Sequence, residues 1–264
     1  MKNDQYTECF VAAVDILGFS QYVRSHKFEY VRDLLNDIKN FSDLLLKHPN
    51  HIFTKEMLDT VTVNIISDTI VIAVPTSTKT SLEILLLVIN TVVFNIYREY
   101  RVPCRGGISV GNFYVDDNIA FGDAYIAAHE FESNLAVYPR IIFPRSVYDV
   151  YYNLSTQEEI NALYNLMLIE EEDELFICDY IGFSIGRIAH DVVYGVISKD
   201  YAEAVFEDFR KEIEHELCTC TDKRIRDKYL YFKNYYNSRI DFYNSTYSLP
   251  YKCIKVFGQD ADRN

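Results

Sequence analysis

The stretch that most constrains the fold is "FVAAVDILGFS", residues 10–20, where the apolar run Phe10 to Val14 ends in Asp15 and a turn containing Gly18. A short continuous apolar run closed by a turn signal reads as a buried strand. Residues 10–16 are predicted as that strand, so an acidic residue must emerge where the chain leaves the core. Behind it Val31, Leu34, Leu35, Ile38 and Leu45 recur at helical spacing, predicting a long helix over about 21–47. Next, "VTVNIIS" and "TIVIAVP" are β-branched runs meeting at Ser67-Asp68, the two-residue loop of a tight hairpin. A second acid, Asp68, therefore stands at a hairpin tip.

The pattern continues with a helix over about 80–98, then "CRGGISVGNFYV" as a strand ending at the turn signal Asp116-Asp117-Asn118. "FGDAYIAAHEFESNL" is helical and "RIIF", after Pro139, is a short strand. The order through residue 143 is βαββαβ with an additional short strand pair, an α+β, ferredoxin-like plan. Further on, 146–166 read as helix, "LMLIEEEDELFICDYI" as a hairpin with an acidic tip, and about 198–245 as helix. With no low-complexity linker or repeat, the chain divides into a main domain over 1–190 and a helical C-terminal extension over 191–264, packed on the same body.

Charge narrows the partners. The formal net charge is −13, from 39 acidic against 26 basic residues, a field that repels phosphate backbones and anionic lipid. Nucleic acid is excluded as the main partner. The six cysteines are scattered, none in a C-x-x-C pair, and read as reduced, mostly buried thiols of a cytoplasmic protein. "MKNDQYTE" lacks the apolar core of a signal peptide. Residues 84–96 are shorter than a membrane span and carry Asn90 and Asn95, so they read as a buried helix. The acidic run Glu170 to Glu174 reads as a solvated hairpin tip, since consecutive residues do not converge on one ion.

In a ferredoxin-like sheet the first strand and the hairpin are neighbours, which brings Asp15 and Asp68 to one edge. Two carboxylates that close repel, and a proton or a cation relieves the repulsion. Mg²⁺ or Mn²⁺ suits such a site, because these ions take carboxylate oxygens and leave positions for water and phosphate. The turn Ile16, Leu17, Gly18, Phe19, Ser20 leads into a helix, and its backbone N–H groups suit a phosphate chain, with Gly18 permitting close approach. Taken singly, Asp15 also reads as a helix N-cap and Asp68 as a locally bonded hairpin residue. Neither explains why both acids fall at the same edge.

These blocks resemble the class III nucleotide cyclases, the adenylate and guanylate cyclase superfamily. The matching stretches are "VDILGFS", "IISDTIVIAV", "RGGISVGNFY" and "GDAYIAAHEFESNLAVYPRIIFPRSVY", which cover residues 10–150 in order. The resemblance implies that Asp15 and Asp68, with the main chain of Ile16, hold two divalent ions, that Ile16 to Ser20 hold a triphosphate, and that Arg105 contacts its phosphates. It implies attack of a ribose 3′-oxygen on its own α-phosphorus, with one ion activating the hydroxyl and the other neutralising pyrophosphate. The family's purine-reading lysine and its partner acid fall on Asn64 and Ile119, and its transition-state asparagine and arginine on Ile126 and Glu130.

Those departures make the chain similar to the pyrimidine cyclases of bacterial Pycsar anti-phage defence. The likeness implies a homodimer with sites at the interface, UTP or CTP as substrate, and a separate effector protein that responds to cyclic UMP or cyclic CMP. Asn64 offers a pyrimidine both a donor and an acceptor and does not choose between the two bases. Arg140, where the family carries glycine, and Arg145 are candidate replacements for the missing cationic help, or else surface ion pairs. His129 reads as a packed or interface histidine more readily than an acid-base group. A non-catalytic nucleotide-binding module on a cyclase fold, and a purine cyclase, are the alternatives.

Overall fold

A computed structural model describes residues 5–41, 46, 54–78, 80–116, 119–158, 160–161, 168–170 and 174–256. The chain forms two compact units, Met1–Tyr180 and Ile181–Asn264. In the first, β1 (Thr7–Ile16) is followed by α1 (Phe19–Ser25), α2 (Phe28–Lys39), α3 (Lys55–Asp59) and the hairpin β2 (Thr62–Ile66) and β3 (Thr69–Pro75). Then come α4 (Ser81–Tyr100), β4 (Cys104–Val115), β5 (Ala120–Phe121), α5 (Asp123–Asn134), β6 (Ile141–Pro144), α6 (Arg145–Leu154), β7 (Leu168–Glu170) and β8 (Leu175–Cys178).

The sheet runs β2-β3-β1-β4-β6-β8-β7, with β5 paired to the end of β4. Its first four strands have the order of a ferredoxin-like sheet, and the fold is α+β. β1 is antiparallel to both neighbours, and β4 runs parallel to β6. Residues Cys9 to Val14 are at most 3% exposed, as an apolar run in the middle of a sheet requires. Burying a side chain such as Phe10 or Val11 contributes about 1.5–3 kcal/mol relative to exposure. α4 packs on β3 and β1 and buries Leu85, Leu86, Val88 and Ile89 completely. It is long and apolar enough to cross a membrane, yet 72% of its most apolar window is buried inside the protein. Its Asn90 accepts a hydrogen bond from Cys178 Sγ at 2.8 Å.

Three expectations change. The long helix over 21–47 is broken at His26-Lys27, both in extended conformation. Ser25 Oγ donates to the Gln21 carbonyl at 2.9 Å, and the His26 ring stacks on Tyr22 at 4.0 Å, which turns the chain out of the helix. The helix expected over 146–166 is broken: α6 ends at Leu154 with Ser155 extended, helix resumes at Gln157, Glu158, Ile160 and Asn161, and residues 159 and 162–167 lie outside the described residues, as do 171–173 of the acidic tip and Asp117 and Asn118 of the expected turn. Of the six cysteines, Cys9, Cys104 and Cys178 are buried, Cys220 and Cys253 are half-buried and Cys218 is exposed, all as free thiols.

The second unit is helical. α7 (Tyr180–Val193) opens at the junction of the units and is followed by α8 (Lys199–Thr219) and α9 (Lys223–Thr246). α8 and α9 form the expected helical region, interrupted after Thr219, where Asp222 caps α9 by accepting from the Arg224 and Ile225 amides. Its core is aromatic: Phe206 stacks on Tyr251 at 5.5 Å, and Tyr236 donates to the Phe206 carbonyl at 3.3 Å.

Candidate active site at the sheet edge

The strand ends bring the two aspartates together. Asp15 is the penultimate residue of β1 and pairs across to Thr69 on one side and Arg105 on the other. Ser67 and Asp68 form the two-residue loop between β2 and β3, with Ser67 in the left-handed region at φ 61°. The Ile16 N–H donates to the Asp68 carbonyl at 3.1 Å, which ties the hairpin tip to the residue after Asp15. Both aspartates are half-buried.

Arg105 sits between them and the helix behind. Its Nε donates to Asp15 Oδ2 at 3.0 Å, and its Nη2 lies 2.7 Å from Glu132 Oε1, on α5. Glu132 Oε2 lies 3.1 Å from His129 Nδ1. Side-chain exposure falls from 23% at Arg105 and 17% at Asp15 to 3% at Glu132, so the glutamate is the buried member. Burial pushes the Glu132 carboxyl above its ordinary value; Arg105 and His129 oppose the shift, and the charges of Asp15 and Asp68 add to it. Burial and then the Asp15 charge likewise keep the adjoining Cys104 thiol protonated.

Two glycines make this arrangement possible. A Cβ on Gly106 would stand 2.7 Å from the Ala13 carbonyl oxygen, and one on Gly107 would stand 2.3 Å from the Ala128 carbonyl oxygen and 2.8 Å from the Glu132 nitrogen. Any side chain at Gly107 would push α5 off the strand. The "RGG" of the sequence thus joins an arginine to the close approach that delivers its buried carboxylate.

The turn after β1 differs in part from expectation. The Ile16 and Leu17 N–H groups are already used, by the Asp68 carbonyl and by the Pro103 carbonyl at 2.9 Å. That leaves the amides of Gly18, Phe19 and Ser20, which precede the first hydrogen bonds of α1, made by Gln21 and Tyr22 to the Gly18 carbonyl. Gly18 has φ 77° and open space around its α-carbon, so the turn needs glycine for its conformation and leaves room beside it.

Asn64 is half-buried in the middle of β2, opposite Val71. Arg140 Nη2 donates to the Leu135 carbonyl at 3.3 Å, a cation at the C-terminus of α5, while its own carbonyl accepts from Gly106 at 3.0 Å. Arg145 lies 3.2 Å from Glu170 and 3.8 Å from Asp149, a surface ion-pair set. Ile119, Ile126 and Glu130 are all exposed. Glu132 is the site residue that sequence reasoning missed; its one signal is its place at the end of the quoted "AAHEFE" helix, and nothing local marks it as buried.

Among the described residues no group of three or more His, Cys, Asp or Glu side chains is arranged to hold a metal ion. The donor set nonetheless fits a hard cation with two protein carboxylates. Asp15 and Glu132 share one guanidinium, the Asp68 charge adds to theirs at Glu132, and an all-oxygen pair at the edge leaves the remaining positions to water or substrate oxygens.

No protein-family model matches this chain, and no curated protein matches it. Among solved structures it is similar to a bacterial light-regulated adenylyl cyclase, at 14% identity over 67% of this chain and 92% of that one, with a TM-score of 0.44. It is also similar to the monomeric guanylyl cyclase domain of the RhoGC fusion protein of the aquatic fungus Blastocladiella emersonii, at 14% identity over 66% and 96%, TM-score 0.47. A third is an adenylate/guanylate cyclase/hydrolase from Silicibacter pomeroyi, at 16% identity over 66% and 97%, TM-score 0.36.

Proposed function

We propose that this chain is a nucleotide cyclase, a phosphorus-oxygen lyase that converts a pyrimidine nucleoside triphosphate, UTP ahead of CTP, to its 3′,5′-cyclic monophosphate and pyrophosphate. The observation that carries the proposal is the coupling of Asp15 to the Asp68 hairpin through the Ile16 N–H, with Arg105 paired to the same Asp15. The edge gathers carboxylates for a divalent cation and a guanidinium for phosphate, the two charge types a triphosphate needs.

Asp15 and Asp68 would hold Mn²⁺ or Mg²⁺. Bound there, the ions supply charge neutralisation to the triphosphate and lower the proton affinity of the ribose hydroxyl. Arg105 contributes donors to phosphate oxygens, and the amides of Gly18, Phe19 and Ser20 orient the chain from the other side. The 3′-oxygen forms the new bond to the α-phosphorus, its proton passes to solvent, and pyrophosphate leaves. What supports a pyrimidine is the pair Asn64 and Ile119 at the positions where the resembling family reads purines. The reading extends to a homodimer with shared sites and a cyclic-nucleotide-responsive effector in antiviral signalling.

Incubation with Mn²⁺ and each of the four nucleoside triphosphates, with products resolved by mass spectrometry, tests it. Cyclic UMP or cyclic CMP is expected. Cyclic AMP or cyclic GMP as the main product would retain the cyclase and overturn the pyrimidine reading, and no cyclic product from any substrate would overturn the enzyme.

A further inference from the structure

Arg105 cannot serve both partners equally once Asp15 is given to a cation. A carboxylate that ligates a divalent ion loses much of its attraction for a guanidinium, so the arginine must be held by something else or leave the edge. Among the described residues the structure offers one other holder. Glu132 lies 2.7 Å from Nη2 as an ion pair without hydrogen-bond alignment, while Asp15 accepts from Nε, so the two carboxylates meet different nitrogens and one contact can break without the other. Glu132 cannot follow Asp15 outward, because Gly107 seats its backbone against β4 and its side chain is 3% exposed.

We infer that Glu132 is the positioning residue of this site: it is the permanent anchor of Arg105, and Asp15 is the exchangeable partner that Arg105 releases when a divalent cation binds. The inference rests on the metal-binding role proposed for Asp15. It assigns the ion pair a purpose, since Arg105 stays at the edge, toward the phosphates, when Asp15 turns to a cation. His129, on the far oxygen of Glu132, supports the anchor from the exposed side of α5.

The test is Mn²⁺ binding by the full chain, followed by the electron paramagnetic resonance signal of the free ion. Glu132→Gln leaves Arg105 with Asp15 alone, tightens that pair, and is expected to weaken Mn²⁺ binding about tenfold with both aspartates intact. Glu132→Asp keeps the charge but withdraws it by one methylene, so the same weakening there separates reach from through-space field. The double variant Glu132→Gln/Arg105→Gln frees Asp15 and returns affinity toward that of the unsubstituted chain.

Unchanged Mn²⁺ binding in Glu132→Gln or Glu132→Asp, or a double variant as weak as Glu132→Gln, overturns the anchor. Failure of the unsubstituted chain to bind Mn²⁺ removes the metal reading instead. The anchor is then decided without metal, by thermal unfolding of Arg105→Gln, Glu132→Gln and Asp15→Asn singly and in pairs. Arg105 and Glu132 must be more strongly non-additive than Arg105 and Asp15, and the reverse order overturns the inference.

Discussion

Arg210 and Arg105 each lie between two carboxylates, and they are built in opposite ways. Arg210 on α8 donates to Glu207 and Glu214 at 2.6–2.9 Å, three residues before it and four after it on the same helix. Arg105 takes Asp15 from β1 and Glu132 from α5, and neither is near it in sequence. The hydrogen bond from Arg210 pulls the Glu207 carboxyl below its ordinary value, whereas burial keeps Glu132 above it despite Arg105. The helix fork is electrostatically settled: every charge has its opposite within one turn. The sheet-edge cluster has one guanidinium for three carboxylates and retains a demand for positive charge.

That contrast can be broken in several ways. The largest expected effect is on turnover. Asp15→Asn or Asp68→Asn should lower cyclisation on the order of 10³-fold, the several kcal/mol of charge stabilisation a bound ion supplies, with the circular dichroism spectrum unchanged. If either variant retains activity, the edge is an ion-pair cluster no different in kind from the helix fork.

Next in size, Arg105→Met leaves Glu132 a buried carboxylate with the exposed His129 as its remaining described partner and should cost about 3 kcal/mol in urea unfolding. Arg210→Met, whose partners reach water, should cost about 1 kcal/mol or less. Equal losses would erase the distinction. Gly107→Ala should destabilise by about 1–3 kcal/mol, because α5 has to move off β4, and should weaken Mn²⁺ binding without altering a single charged group.

The smallest effect is one of sign. The raised Glu132 contributes stability that is fully present below its ordinary value of about 4.5 and is lost as pH rises through its folded value. The lowered Glu207 contributes stability present above about 4.5 and lost as pH falls through its folded value. Thermal midpoints against pH for Glu132→Gln and Glu207→Gln should therefore depart from the unsubstituted chain with opposite slopes. Departures in the same direction would mean that Glu132 is not governed by burial.

Much of the fold was legible because its signals are local. The β1 run, the Ser67-Asp68 hairpin, α4 and the twelve-residue β4 stand where periodicity and turn residues put them. α7 was not anticipated, and the break at His26-Lys27 was missed because the apolar pattern that predicts the helix, Val31 to Leu45, begins only after it. In the site, the sheet pairings join Asp15 to Arg105, and the Ile16 N–H joins the strand end to Asp68, as the strand order suggested. Arg140, a candidate for cationic help or a surface ion pair, donates to the Leu135 carbonyl at the end of α5, a contact that no local pattern announced.

The sequence by itself determined which residues end strands, which turn needs glycine, and where two aspartates leave the core, because each follows from a few neighbouring residues. Only the tertiary structure decided what Arg105 is bonded to. Whether Glu132 is a solvated helix residue or a buried counter-charge depends on how closely α5 approaches β4 at Gly107, and burial, unlike periodicity, is a property of the folded whole.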